Sequence, residues 1–168
     1  QGSKVAFLDK ELELAKKLVQ KNDNFNHKAV FKKCDLIDIL DMKKKIKQFQ
    51  EELGPVSILV NNAAANPYYG PILKSQDSHW EKIWDINVKG YFNFVKACSK
   101  SMEENKYGKI INVASIAAKI PLDGLGVYNI SKAAVVMLTK VLAKEMAASN
   151  IQVNTLAPGL IKTDFSRA

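Results

Sequence analysis

Arginine is nearly missing from this chain: Arg167 is the only one among 25 basic residues, and lysine supplies the rest. Paired guanidinium recognition of a carboxylate is left with one candidate, at the far end of the sequence. Cysteine is scarce as well. Cys34 and Cys98 stand far apart in apolar segments with no CxxC or Cys/His spacing, so buried free thiols are expected and neither a disulfide nor a metal site is. No apolar run approaches the length needed to cross a bilayer, and the first residues lack the basic, apolar and small-residue succession of a secretory signal. The expectation is a soluble, cytoplasmic chain with no membrane partner. Internal repeats, low-complexity tracts and linkers are also missing, which makes residues 1–168 one expected domain.

What is present is a core and a charge. Hydrophobic residues make up 47% of the chain, ample for a globular interior. A formal charge of +8 raises the question of nucleic acid, but the lysines are dispersed. The densest run, Lys43-Lys44-Lys45-Ile46-Lys47, lies in a helical pattern whose buried stripe would be Ile39, Met42, Ile46, Phe49 and Leu53. No aromatic residues interleave with that run as a stacking platform requires, so a solvated helix face is expected and a nucleic-acid partner is not.

Short apolar runs alternate with segments of helical period. The pattern predicts strands over 4–8, 28–34, 56–61, 107–113 and 151–156, with helices near 10–22, 38–53, 78–104 and 126–148, the third broken around Trp84 and Asp85. Alternation of this kind specifies an α/β fold, a doubly wound parallel sheet with helices on both faces. Ligands in such sheets bind outside the carboxyl ends of the strands. The residues found there are Asp9, Asp35, Asn61-Asn62-Ala63-Ala64, Ser115 and Pro158-Gly159.

One cluster stands out for its chemistry. Tyr128 and Lys132 are four apart on one helical face, so an ammonium can lie beneath a phenol. Such a cation is expected to lower the tyrosine pKa from about 10 toward the range useful for acid/base work near neutrality. Ser115, at a strand end thirteen residues earlier, could hydrogen-bond a substrate oxygen, or could serve merely as a cap in Ala114-Ser115-Ile116-Ala117. Together the three could polarise a carbonyl for hydride attack.

From Val5 to the C-terminus the sequence resembles the short-chain dehydrogenase/reductase family, in its compact single-domain branch. Asn61-Asn62-Ala63-Ala64 looks like that family's Asn-Asn-Ala-Gly element, with Ala64 in place of the usual glycine, and Asn87 in Asp85-Ile86-Asn87-Val88 matches its catalytic asparagine. With Ser115, Tyr128 and Lys132 this makes the family's tetrad. The resemblance implies a Rossmann-like, three-layer fold and an oxidoreductase moving hydride between NAD(P) and a carbonyl or secondary alcohol. In it Tyr128 would carry the proton, Ser115 orient the substrate, Lys132 hold the nicotinamide ribose and Asn87 keep a relay water. For the cofactor it implies Asp35 and Leu36 at the adenine, Asn61, Ala63 and Ala64 along the ribose, and Pro158, Gly159, Ile161 and Thr163 around the nicotinamide, beside Tyr128 and Lys132. Asp9 stands where a carboxylate accepts the adenosine ribose hydroxyls and repels a 2′-phosphate, which favours NAD over NADP; Lys10 beside it could soften that preference, and an N-cap role is the alternative.

The segments Asn66 to Gly70 and Ile116 to Leu125 would border the substrate. They are apolar and aromatic and lack arginine, so an uncharged, moderately hydrophobic carbonyl compound is expected. The family's relatives usually self-associate through two long helices, which implies a homodimer or homotetramer. Against the resemblance, no glycine-rich phosphate turn precedes Gln1. The first strand and helix of the family are lacking and the sequence stops before its last elements, so a longer chain is expected. The missing strand would leave a gap of roughly 10 Å between the strands at 4–8 and 56–61. The competing reading is a catalytically silent fragment or scaffold of the same fold, associating through the helices around 84–104 and 126–148.

Overall fold

A computed structural model describes residues 2–21 and 29–162. Strand pairing falls into two parallel sheets, one in each of two compact units, Gln1–Val56 and Ser57–Ala168. The pairing breaks between the strands predicted at 4–8 and 56–61, where the sequence reading expected a gap.

In the first unit β1 (Ala6–Asp9) pairs with β2 (Val30–Lys33), with Phe7 opposite Phe31 and their rings 5.1 Å apart. Helix α1 (Leu12–Lys21) follows β1 and α2 (Ile39–Leu53) follows β2. An aspartate folds the turn after each strand, Asp9 at the end of β1 and Asp35 two residues beyond β2. Asp9 Oδ1 accepts the Glu11 N–H at 2.9 Å, and Asp35 Oδ1 accepts the Ile37 N–H at 3.1 Å. Asp38 then caps α2 by accepting the Asp41 N–H at 3.0 Å, and Gly54 ends the helix at φ +94°, a conformation glycine adopts without strain. The buried face of α2 is narrower than expected: Met42, Ile46 and Phe49 are buried, Leu53 is half-buried, and Ile39, directly after the exposed cap, shares its exposure. The lysine run is a solvated face, with Lys45 paired to Asp41 at 2.9 Å and Lys47 to Glu51 at 3.8 Å.

In the second unit β3 (Ile58–Asn61), β4 (Gly108–Val113) and β5 (Ile151–Leu156) pair in that order, all parallel. The helix predicted over 78–104 is α3 (Asp77–Trp84), a π-helical turn at Asp85–Gly90 and α4 (Tyr91–Glu104). The break therefore lies where the sequence placed it, as a wider turn within a continuous run. Burial along β4 alternates residue by residue, with Ile110 fully enclosed, because one strand face meets the core. Gly108 opens β4 for a packing reason: a Cβ there would lie 2.7 Å from Met102 Sδ at the end of α4.

Helix α5 (Gly126–Met146) packs on β4 and β5, then closes through a 3-10 turn, Ala147–Ser149, and a left-handed Asn150 at φ +57°. Contrary to the expectation of no run long enough to cross a bilayer, Gly126–Ser149 passes by length and mean hydropathy, 1.2 over 18 residues. Its apolarity has a local cause. The inward face carries Val127, Val135, Leu142 and Met146 against the sheet, and the same face buries Ser131, Lys132 and Thr139. Cys34 and Cys98 are buried free thiols, and burial pushes them up to about 11 and about 12 respectively.

Candidate active site

Parallel register brings a polar row to the carboxyl ends of the three strands of the second unit: Asn61 pairs with Asn112, and Asn112 with Thr155. An amide buried in a strand must find partners inside the protein. Asn61 Nδ2 donates to Asn112 Oδ1 at 2.9 Å and to the Tyr91 carbonyl at 3.4 Å; Asn112 Nδ2 donates to Thr139 Oγ1 at 2.9 Å, and that hydroxyl donates to the Val135 carbonyl at 2.9 Å. A chain of side chains thus fixes β3, β4 and α5 to one another.

Asn87 lies in the π-helical turn and is fully buried. Its Oδ1 accepts the Ala65 N–H at 2.8 Å, while Nδ2 donates to the Ala65 carbonyl at 3.1 Å and to Ser131 Oγ at 3.1 Å. The Ser131 hydroxyl donates to the Tyr128 carbonyl at 2.8 Å. One amide therefore clamps the loop after β3 to the helix that presents the tyrosine. A π turn is an expensive way to continue a helix and is common where a side chain must be re-aimed at a site.

Ser115 fulfils the cap reading of its sequence context and makes a second contact that the sequence did not point to. It caps the short 3-10 helix Ile116–Ala118, accepting the Ala117 N–H at 3.1 Å, and it hydrogen-bonds the Tyr128 phenol. The next residue, Ile116, donates its N–H to the Pro158 carbonyl at 2.8 Å, which ties the Ser115 turn to the Pro158-Gly159 segment. Of the cofactor-side residues in this unit, Asn61 is buried, Ala64 and Pro158 are half-buried, and Ala63, Gly159 and Ile161 are exposed. Thr163 lies outside the described residues. Asp9, Asp35 and Leu36 belong to the first unit, where both carboxylates sit at the carboxyl edge of β1 and β2 and are exposed.

Lys132 is 1% exposed, and among the described residues no carboxylate pairs with it. Its ammonium donates to the Val113 carbonyl at 2.8 Å and, over 3.5 Å, to the Tyr91 hydroxyl; it lies 5.4 Å from the centre of the Tyr91 ring and 5.6 Å from that of Tyr128. Burial pushes the lysine down to about 8. The phenol of Tyr128 is shifted in the direction opposite to the one the Tyr/Lys spacing suggested. Burial pushes it up from its ordinary value, and the hydrogen bond from Ser115 pulls the other way. The physical reason is that Lys132 is itself desolvated and aimed at a carbonyl, so burial of the phenol outweighs the cation under it.

Sequence reasoning missed Tyr91, Asn112, Ser131 and Thr139. A faint signal existed for two of them: Asn112 interrupts the apolar run Ile110-Ile111 to Val113, and Tyr91 is four residues beyond Asn87.

The family model described as short chain dehydrogenase matches residues 1–168. Dehydrogenase/reductase SDR family member 4 of Oryctolagus cuniculus is 54% identical over 115 residues, which cover 68% of this chain and 44% of that protein. This chain thus spans under half the length of that relative. The structure is similar to that of a gluconate 5-dehydrogenase from Burkholderia cenocepacia in complex with NADP and tartrate, at TM-score 0.90 and 29% identity over 99% of this chain and 65% of that one. It is also similar to NAD+-bound xylitol dehydrogenase, at TM-score 0.92 and 28% identity over 98% of this chain and 63% of that one. With its parallel sheets, flanking helices and a family match along its whole length, the chain belongs to the short-chain dehydrogenase family and has that family's α/β, Rossmann-like fold.

Proposed function

We propose that the chain carries the catalytic residues of an NAD(P)-dependent oxidoreductase acting on a carbonyl or secondary alcohol, with Tyr128 as the proton carrier. The observation that carries this reading is the Ser115 hydrogen bond to the Tyr128 phenol with the buried Lys132 ammonium 5.6 Å from the same ring. In reduction Tyr128 Oη would give its proton to the substrate oxygen as negative charge develops there, and in oxidation it would take that proton back. Ser115 would donate to the same oxygen and fix its position. A raised phenol pKa suits the reductive direction, in which the tyrosine must arrive protonated.

A nicotinamide dinucleotide would supply and accept the hydride. The donor set fits one: Lys132 has three N–H groups, and the chain's own acceptors, the Val113 carbonyl and the Tyr91 hydroxyl, engage two, leaving one for a ribose hydroxyl. The exposed carboxylate of Asp9 suits an adenosine ribose and disfavours a 2′-phosphate, which supports NAD over NADP. Asn87 acts differently from a plain water holder. Both its amide hydrogens are committed to Ala65 and Ser131, so a relay water beside it finds only acceptor positions on that side chain. Ile120 and Leu122, both exposed beside Ser115 in sequence, suit an uncharged, moderately hydrophobic carbonyl substrate.

The test is reduction of a panel of ketones and aldehydes by full-length protein with NADH and with NADPH, followed at the nicotinamide absorbance. Turnover is expected, and Tyr128→Phe should lower kcat/KM by about 100- to 10,000-fold with the melting temperature little changed. Undiminished turnover in that variant would overturn the role of Tyr128. A scaffold that only self-associates is favoured by one observation, the exposed Phe92 on α4 and Met137 and Val141 on α5, and failure of a folded protein to bind either dinucleotide would decide for it. The same exposed residues are compatible with a homodimer or homotetramer of active subunits.

A further inference from the structure

Tyr91 is 2% exposed at the start of α4, and burial pushes its hydroxyl pKa well up, so it stays a neutral phenol. The hydroxyl donates to the Val113 carbonyl at 3.1 Å, the same carbonyl that takes Lys132 at 2.8 Å, and it receives the lysine's second hydrogen bond at 3.5 Å. Lysine ammonium, phenol oxygen and strand carbonyl therefore form a closed triangle. Tyr91 is held in place from its other end too, since its backbone carbonyl accepts from Asn61. The groups facing the Lys132 ammonium are the Val113 carbonyl from β4, the Tyr91 hydroxyl and ring from α4, and the Tyr128 ring from its own helix. None of these carries a formal charge while both phenols are protonated. Among the described residues the buried cation meets only dipoles and ring faces, and Tyr91 supplies one of each.

We propose that Tyr91 is a positioning residue for Lys132, its hydroxyl and ring fixing the ammonium against the Val113 carbonyl and keeping it protonated beneath Tyr128. The kinetic part of this inference rests on the proposed hydride transfer; the contact itself does not. Tyr91→Phe removes the oxygen and keeps the ring, and Val113 retains Lys132 as a donor, so no buried carbonyl is orphaned and the fold should hold.

The experiment titrates Lys132 in full-length protein by the NMR shift of its ¹³Cε, assigned by loss of the signal in Lys132→Met, and records the pH profile of kcat/KM alongside. Tyr91→Phe should lower the proton affinity of Lys132 by about three- to tenfold, with the alkaline limb of kcat/KM moving to lower pH by the same factor. Tyr91→Leu, which removes the ring as well, should lower it further. A Lys132 midpoint unmoved in Tyr91→Phe, even with a lower melting temperature, would reduce Tyr91 to packing and overturn the proposal. Equal midpoints in the Phe and Leu variants would remove the ring from it. A midpoint that moves as expected, in a protein that turns over no substrate even without substitution, would uphold the contact and sink the hydride-transfer reading instead.

Discussion

The two units place their polar residues in opposite ways. In the first, Asp9 and Asp35 are exposed, and the hydrogen bonds their carboxylates accept fold only the turn immediately after each strand. In the second, Asn61, Asn87, Asn112, Lys132 and Thr139 are buried, and their partners come from other elements of the fold. A side chain of the first kind offers charge to a ligand and does little for the structure. Those of the second kind define the structure and leave few of their atoms to spare. The lesson is that stability and chemistry should separate cleanly in the first unit and be entangled in the second.

The largest test of that contrast is Lys132→Met, which removes a desolvated cation and keeps its length. Because the lysine sits near 8 in the fold and near its ordinary value of about 10.4 when unfolded, the unfolded chain binds more protons between those values. Stability of the parent should therefore climb as pH rises from about 8 to about 10. The variant should lose that climb and, at neutral pH, be more stable by something on the order of 3 kcal/mol while losing activity. Chemical denaturation across the pH range reads both, and a flat parent profile would contradict a buried, charged lysine.

Asn112→Ala comes next. It takes one partner from the Asn61 amide, which keeps the Tyr91 carbonyl, and one from the Thr139 hydroxyl, which keeps the Val135 carbonyl, and should cost about 1 to 2 kcal/mol in urea unfolding, with activity falling because β4 leads into Ser115 and α5 carries Tyr128. Asp9→Ala should be the mildest for the fold, under about 1 kcal/mol, since only a turn contact is lost. Its expected signature is elsewhere: the ratio of kcat/KM for NADH over NADPH should drop several-fold, and an unchanged ratio would remove Asp9 from cofactor choice.

Local signals made most of the elements legible. Strand β5 matches the predicted 151–156 to the residue, and the break after Trp84 was visible because Asp85-Ile86-Asn87 is a poor helical sequence. The Tyr128 and Lys132 pair could be placed because four residues on a helix is a fixed geometry. The division of the strands into two sheets falls between residues 4–8 and 56–61, where the sequence reading expected a gap. What could not be read was anything set by partners distant in sequence. That Asn112 reaches both Asn61 and Thr139, or that Tyr91 shares a carbonyl with Lys132, depends on register and helix docking, which no local pattern encodes. The direction of the Tyr128 shift was misread for the same reason. Spacing gives the cation's position on the helix, while the outcome depends on how much water both groups lose.

The two segments expected to border the substrate are joined outside any strand by a bridge between Gly70 and Leu125, with the Gly70 N–H on the Gly124 carbonyl at 2.9 Å. Gly124 has φ +73°, and a Cβ there would come within 2.7 Å of the Tyr69 ring. Anyone grafting a loop from a relative to redirect selectivity would have to transplant Asn66 to Gly70 and Ile116 to Leu125 as one cassette, because either half inserted alone meets a partner cut for a different shape.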